Sequence, residues 1–245
     1  SDIDTIDSEL VLSDLQTVES ALPKAERAAK SKDPEAVARR DVLAKIQPVL
    51  EEGRPVRVAL DSITNPDQRK ALRGVGLITV KPQMFIANVD ESDVLGEGAL
   101  AQKVRAHAQE TGAEVVPICA KVESELAELD ATDKAEMLAD YGLTEPALNS
   151  LARAIYNLLG LQSFYTAGPK EIRAWPVRAG SKAPQAAGVI HTDFERGFIR
   201  AEIYSVDDLV ELKTEKAIKE AGRMRIEGKD YTMHDADVCH FLFNV

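Results

Sequence analysis

Cysteine is scarce: Cys119 and Cys239 are the two in 245 residues. They stand far apart, with neither paired spacing nor a histidine pattern of the zinc kind, so no disulfide or metal framework is expected. A reducing, cytoplasmic setting follows as the simplest expectation. Apolar runs of membrane length are missing too. None approaches the roughly 18 to 20 residues that a span requires. The first residues, Ser1-Asp2-Ile3-Asp4, have neither a basic head nor an apolar signal core, and no methionine opens the chain, which suggests a piece of a longer protein. Internal repeats and low-complexity tracts are also lacking. The absence with the largest chemical consequence is the phosphate-cradling loop Gly-x-x-x-x-Gly-Lys-Ser/Thr. The only Gly-Lys pair, Gly228-Lys229, is followed by Asp230 and has Arg223 where the first glycine belongs. Hydrolysis of a nucleoside triphosphate by these residues alone is thereby excluded from the expectations.

What is present reads as a soluble multidomain chain of mixed class. The net charge of -11 is uneven: residues 1–160 carry 18 basic against 28 acidic side chains, and residues 161–245 carry 12 against 13. A chain of that sign is repelled by phosphate backbones overall, so nucleic-acid contact needs a local basic patch. From Ile3 to about Lys30 the apolar residues Val11, Leu15, Val18, Leu22, Ala25 and Ala29 step by four and three, as on one helix face. Asp33-Pro34 then opens a second helix that runs to Gly53, so the two form a helical hairpin. A third helix is expected from Asn65-Pro66 to about Arg73. The pattern next alternates. Leu77-Ile78-Thr79-Val80, Met84-Phe85-Ile86-Ala87 and Glu114-Val115-Val116-Pro117-Ile118 read as strands, with a helix between the last two, which is a βαβ unit and so a piece of parallel sheet. Helices near 122–129, 132–141 and 146–159 lead to Gly160, and an α+β module follows with strands near 172–175, 198–203, 223–226 and 239–243. The boundaries expected are 1–76 for the hairpin, 77–160 for the sheet remnant and 161–245 for the last module.

Ligands of an open α/β sheet bind outside the carboxyl ends of its strands. The turn there reads Asn88-Val89-Asp90-Glu91, where GTPases carry Asn-Lys-x-Asp and its aspartate accepts two hydrogen bonds from guanine. Glutamate in that place weakens a guanine preference. The following strand ends in Cys119-Ala120-Lys121, at the position of the GTPase Ser-Ala-Lys loop, whose backbone touches the base. Elsewhere, His191, Asp193 and Glu195 alternate as ligands on a strand might, but three such groups are a small set and surface polarity accounts for them, so no metal site is expected. His107, His234 and His240 show no triad partners, and no catalytic residue is assigned. Cys239 reads as a core residue, while Cys119 beside the base loop is a candidate for redox sensitivity.

The run Ala167-Gly168-Pro169-Lys170-Glu171-Ile172-Arg173-Ala174-Trp175, then Ala183 to Gly188 and Val189 to Glu202, closely resembles the C-terminal domain of the YchF family of Obg-like ATPases. The ending from Glu220 through Gly228-Lys229-Asp230-Tyr231 to Phe241-Leu242-Phe243-Asn244-Val245 resembles it as well, with Ala236 where the family usually has glycine. The resemblance implies a helical hairpin, the final strands of a P-loop G domain, and a TGS domain of β-grasp type. It implies that Asn88, Val89, Asp90 and Glu91 border a purine base, with Cys119, Ala120 and Lys121 closing the other side. The intact family protein uses ATP in preference to GTP, with Mg²⁺, hydrolyses it slowly and associates with ribosomes; tight nucleotide binding by this chain alone is not expected. Lys170, Arg173, Arg178, Lys182, Arg196, Arg200, Arg223 and Arg225 are the candidates for contact with ribosomal RNA, and the acidic hairpin suits a protein partner. Neither a membrane nor DNA is an expected partner. The alternative is a free-standing ribosome- or protein-binding module with no nucleotide role.

Overall fold

A computed structural model describes residues 2–168 and 171–244. The chain divides into two compact units, Ser1–Gln83 and Met84–Val245.

The first unit is helical. Helix α1 (Asp2–Ala29) buries Val11, Val18 and Ala25, one stripe at seven-residue spacing, against Val42, Leu43, Ile46 and Leu50 of α2 (Pro34–Glu51). Its partner starts where the sequence signals it: the Asp33 carboxylate accepts the Ala36 N–H at 2.9 Å and Pro34 occupies the first turn. A 3-10 helix (Val56–Ser62) leads to α3 (Pro66–Arg73), capped by Asn65, whose side chain accepts the Asp67 N–H at 2.8 Å. The strand expected at 77–80 is not formed; these residues make turns. The reason lies in Asp14, a buried carboxylate on α1. It accepts the N–H groups of Ile78 (2.8 Å) and Thr79 (2.7 Å) and the Thr79 hydroxyl (2.6 Å), and that hydroxyl accepts the Val56 N–H (3.0 Å). The segment's donors are thus met by a side chain instead of a neighbouring strand. Leu77 and Thr79 are buried while Ile78 is exposed, so the alternation in the sequence reports a turn lying on a core.

The second unit contains two sheets. Strands β1 (Met84–Asn88) and β2 (Glu114–Ile118) pair in parallel, from Met84 opposite Glu114 to Asn88 opposite Ile118, with α4 (Ala99–Thr111) between them in sequence. After β2 come α5 (Ala120–Glu128), α6 (Ala131–Asp140) and α7 (Ala147–Leu159). Gly160, at φ +61°, ends α7 by turning its N–H onto the Tyr156 and Asn157 carbonyls. The remainder is β3 (Leu161–Ala167), β4 (Ile172–Arg178), α8 (Ala183–Ile190), α9 (Thr192–Arg196), β5 (Phe198–Ser205), α10 (Val206–Leu212), α11 (Glu215–Glu220), β6 (Arg225–Glu227) and β7 (Asp237–Phe243). Its strands form one sheet in the order β4-β3-β7-β5-β6, with β3 and β7 parallel and the other pairs antiparallel. Ala183, Ala186 and Ala187 let α8 lie close on Phe164, Ala201, Ile203 and Phe241, all buried. A second cluster packs α10 and α11 residues, Leu209 and Ile218 among them, on Tyr204 and Val238. The sheet's rim is closed by a near contact of backbones. Asn244 donates its N–H to the Gly197 carbonyl at 2.9 Å, and a Cβ on Gly197 would lie 2.1 Å from the Asn244 carbonyl oxygen.

Candidate functional site

The parallel pairing of β1 and β2 brings the carboxyl ends of both strands together, and with them the two loops singled out in the sequence. Val89 extends the contact one residue past β1 by donating its N–H to the Ile118 carbonyl at 3.0 Å. Its side chain turns inward, packing on the cluster of Cys119, Val122, Leu126 and Leu138. Asn88 and Asp90, on either side of it, are exposed. Asp90 starts a short 3-10 turn (Glu91–Asp93), which carries Glu91 to Lys121 in the first turn of α5. The two form an ion pair, and Glu125 lies 4.0 Å from the same ammonium. The hydrogen bond to Glu91 is the main cause of an upward shift in the Lys121 pKa, so this lysine stays charged. Cys119 is 5% exposed, which places its thiol in the core and away from solvent oxidants. Ala120 is exposed.

Three groups without a sequence motif of their own hold these loops. The Asp93 carboxylate accepts the N–H groups of Glu97 (2.7 Å) and Gly98 (2.9 Å), fixing the entry to α4. The Arg105 guanidinium donates to the Leu95 carbonyl at 2.9 Å and to that of Gly96. Gly96 itself sits at φ +64°, and a Cβ there would come 2.7 Å from the Pro117 Cβ on β2. On the α5 side, the buried Glu123 carboxylate accepts the Ala147 N–H at 2.7 Å and that of Leu148 at 3.3 Å, capping α7 in place of Pro146, which offers no side-chain acceptor. The faint sequence signals for these groups are Gly96-x-Gly98 with an acid just before it, and an acid one turn into α5.

The basic residues of the last module divide into two sets. Lys170 lies outside the described residues. Arg223 pairs with Asp208 (3.0 Å) and Glu211, and Arg225 with Asp237 (3.3 Å) and Glu227 (3.7 Å). Lys182 donates to the Asp230 carbonyl (2.7 Å) and the Thr232 hydroxyl (2.9 Å), and the Arg173 guanidinium stands 4.2 Å from the Trp175 ring centre. Arg178, Arg196 and Arg200 make no ion pair among the described residues. His191, Asp193 and Glu195 are not on a strand as the alternation suggested. His191 caps α9, its Nδ1 accepting the Asp193 N–H at 3.2 Å, and the other two lie within that helix. Among the described residues no three side chains of His, Cys, Asp or Glu converge as metal ligands would.

Comparison with known proteins agrees over the whole length. The family model YchF-GTPase_C, described as a "Protein of unknown function (DUF933)", matches residues 161–244. The "Ribosome-binding ATPase YchF" of Haemophilus ducreyi is 49% identical over 245 residues, covering 100% of this chain and 66% of that protein. The protein of the same name from Bacillus subtilis is 43% identical with the same coverage. "Obg-like ATPase 1" of Rattus norvegicus is 36% identical over 99% of this chain and 62% of its own length. A solved structure, "Structure of the Schizosaccharomyces pombe YchF GTPase", superposes with a TM-score of 0.82 at 29% identity, over 98% of this chain and 65% of that one. The chain thus spans about two thirds of the length of these relatives, 66% in the first case. With a family model on the last module and relatives near half identity along its full extent, the chain belongs to the YchF family of Obg-like ATPases.

Proposed function

We propose that the loops 88–91 and 119–121 form the base-reading part of a purine nucleotide site, and that the chain associates with ribosomes. The observation that carries the first part is the convergence of the two loops at the carboxyl ends of β1 and β2, with Glu91 and Lys121 in contact. An ionised carboxylate accepts hydrogen bonds and an ammonium donates them, so the pair has something to offer the edge of a base. The residues present fit a base and not a phosphate tail: no glycine-rich loop with its lysine stands in the sequence, and no three side chains of His, Cys, Asp or Glu converge among the described residues. In the intact protein ATP or GTP with Mg²⁺ would be the ligand, with Glu91 favouring adenine. This chain by itself does not bind nucleotide tightly and does not hydrolyse it.

In this reading residues 1–76 are the helical hairpin domain, 77–160 the closing part of a G domain and 161–245 a TGS domain. The names of the relatives, "Ribosome-binding ATPase", support ribosome association in the cytoplasm. Amide chemical shifts test the base site. Adenosine added to the chain shifts the amides of residues 88–91 and 119–121 and leaves those of β3 to β7 in place. Shifts confined to other residues, or turnover of ATP by the chain, would sink the proposal. A ribosome-binding module with no nucleotide role is the second reading, favoured by the missing phosphate loop. It expects ribosome association with no response to adenosine.

A further inference from the structure

The helical unit looks acidic in bulk, but its charge is divided along its length. Residues 2–19 of α1 hold six acidic side chains and no basic one, whereas residues 24–40, around the α1–α2 turn, hold six basic against three acidic. Of those bases Lys24, Arg27, Lys30, Lys32 and Arg39 are exposed and make no ion pair among the described residues. Arg27 donates only to the Pro23 carbonyl, and Lys30 and Lys32 stand on the turn itself. Of the three acids there, Asp33 caps α2 and Glu35 pairs with Lys70 at 2.7 Å, while Glu26 is exposed beside Arg27, so the cations keep the majority. Lys24 and Arg39 face a common groove of about 440 Å³ floored by Ala21, Ala25 and Ala28, and Arg39 also lines a neighbouring groove of about 350 Å³.

We infer that this turn is an RNA-docking surface, taking the phosphate backbone. The inference rests on the ribosome association proposed above and names the surface that makes the contact. In a chain of net charge -11, only a place where cations outnumber acids and remain unpaired attracts a polyanion. The sheet module offers less: Arg223, Arg225, Lys182 and Arg173 are held by internal partners, and Arg178, Arg196 and Arg200, though without ion pairs among the described residues, belong to a module with 12 basic against 13 acidic side chains. The chemistry of the grooves favours RNA over protein. Neither has a large apolar or aromatic side chain to anchor a protein; the smaller is lined in part by Asp33, Glu35 and Asp67, whereas the larger has Lys24, Arg39, Thr17 and Ser20 around alanines and one valine, with no acid, and is the one that suits a phosphate.

The test uses the whole chain and a fluorescently labelled RNA duplex of about 20 base pairs, read by anisotropy across a salt series. The variant Lys24→Ala/Lys30→Ala/Lys32→Asn/Arg39→Ala removes four exposed cations, with asparagine chosen because Lys32 has φ +61°. It should lower affinity about ten- to hundred-fold at low salt and flatten the log–log salt slope by up to about 3.6, near 0.9 for each phosphate that is no longer neutralised. Arg196→Ala/Arg200→Ala should leave both values unchanged. A purely structural role for the four residues would alter melting temperature and not the slope. An unchanged slope in the first variant, or a loss that falls on the second, overturns the inference. Co-sedimentation with purified ribosomes separates the two claims. If the chain pellets and the four-site variant pellets equally, this inference alone fails; if the chain does not pellet at all, the ribosome reading fails and takes the inference with it.

Discussion

Ala236 carries a backbone conformation that its side chain opposes, with φ at +64°. Its N–H donates to the Ser163 carbonyl at 2.9 Å and its carbonyl accepts the Val206 N–H at 3.2 Å, so the conformation is held from both sides. Left-handed backbone costs an L-residue about 1–2 kcal/mol, part of which glycine forfeits through its freer unfolded chain. Ala236→Gly should therefore stabilise the protein by about 0.5–1 kcal/mol in urea unfolding; a loss of stability would show that the alanine methyl makes contacts worth more than the strain. Tyr231 gives a second residue-scale outcome. Burial, together with its hydrogen bond to Asp237 at 2.9 Å, pushes its pKa up to about 12, while the Arg225 guanidinium pulls the other way. The folded state thus favours the neutral phenol: its contribution to stability is whole below the ordinary tyrosine pKa of about 10 and is lost as pH rises from there to about 12. Tyrosinate absorbance should show late-titrating phenols, of which Tyr231→Phe removes one and leaves Tyr204, held up by burial and its hydrogen bond to Glu215.

Among the elements, Asp14 separates side-chain capping from strand pairing. Asp14→Ala leaves three donors without their acceptor, the buried N–H and hydroxyl of Thr79 and the part-buried N–H of Ile78. A cost of about 2–4 kcal/mol is expected, with Asp14→Asn intermediate because an amide oxygen can serve only part of the set. If Asp14→Ala unfolds at the same denaturant concentration as the parent, the turn is held by something else. This element also shows where sequence reading stops. Asp33-Pro34 and Asn65-Pro66 announce α2 and α3 because capping is a local matter, settled within one turn. Leu77 to Val80 mislead because the acceptor that replaces a strand partner lies more than 60 residues away on α1. Strand β3, Leu161-Gln162-Ser163-Phe164-Tyr165-Thr166-Ala167, escapes notice because polar residues interrupt it; its pairing with β4 and β7 is tertiary. The helices α9 and α11 have five and six residues, too few for a period to appear. The base loops are legible since each simply follows a strand, while Asp93 and Arg105 act through carbonyls and amides that no motif records.

For the molecule as a whole, the chemistry divides by unit. The second unit holds β1, β2 and the loops proposed to meet a base, and the first unit holds the unpaired cations proposed to meet RNA. The sequence has no phosphate-cradling loop: Gly228-Lys229 lies just past β6 and is followed by Asp230. The division makes a sharp claim about nucleotides, namely that their triphosphate contributes no affinity here. In an intact P-loop protein the tail contributes most of it, through backbone N–H groups, a lysine and Mg²⁺. The most direct measurement is a calorimetric titration of the 245-residue chain with adenosine and, separately, with ATP and Mg²⁺. Weak binding of both is expected, equal within a few-fold. ATP binding far more tightly than adenosine would reveal a phosphate site in these residues and contradict it.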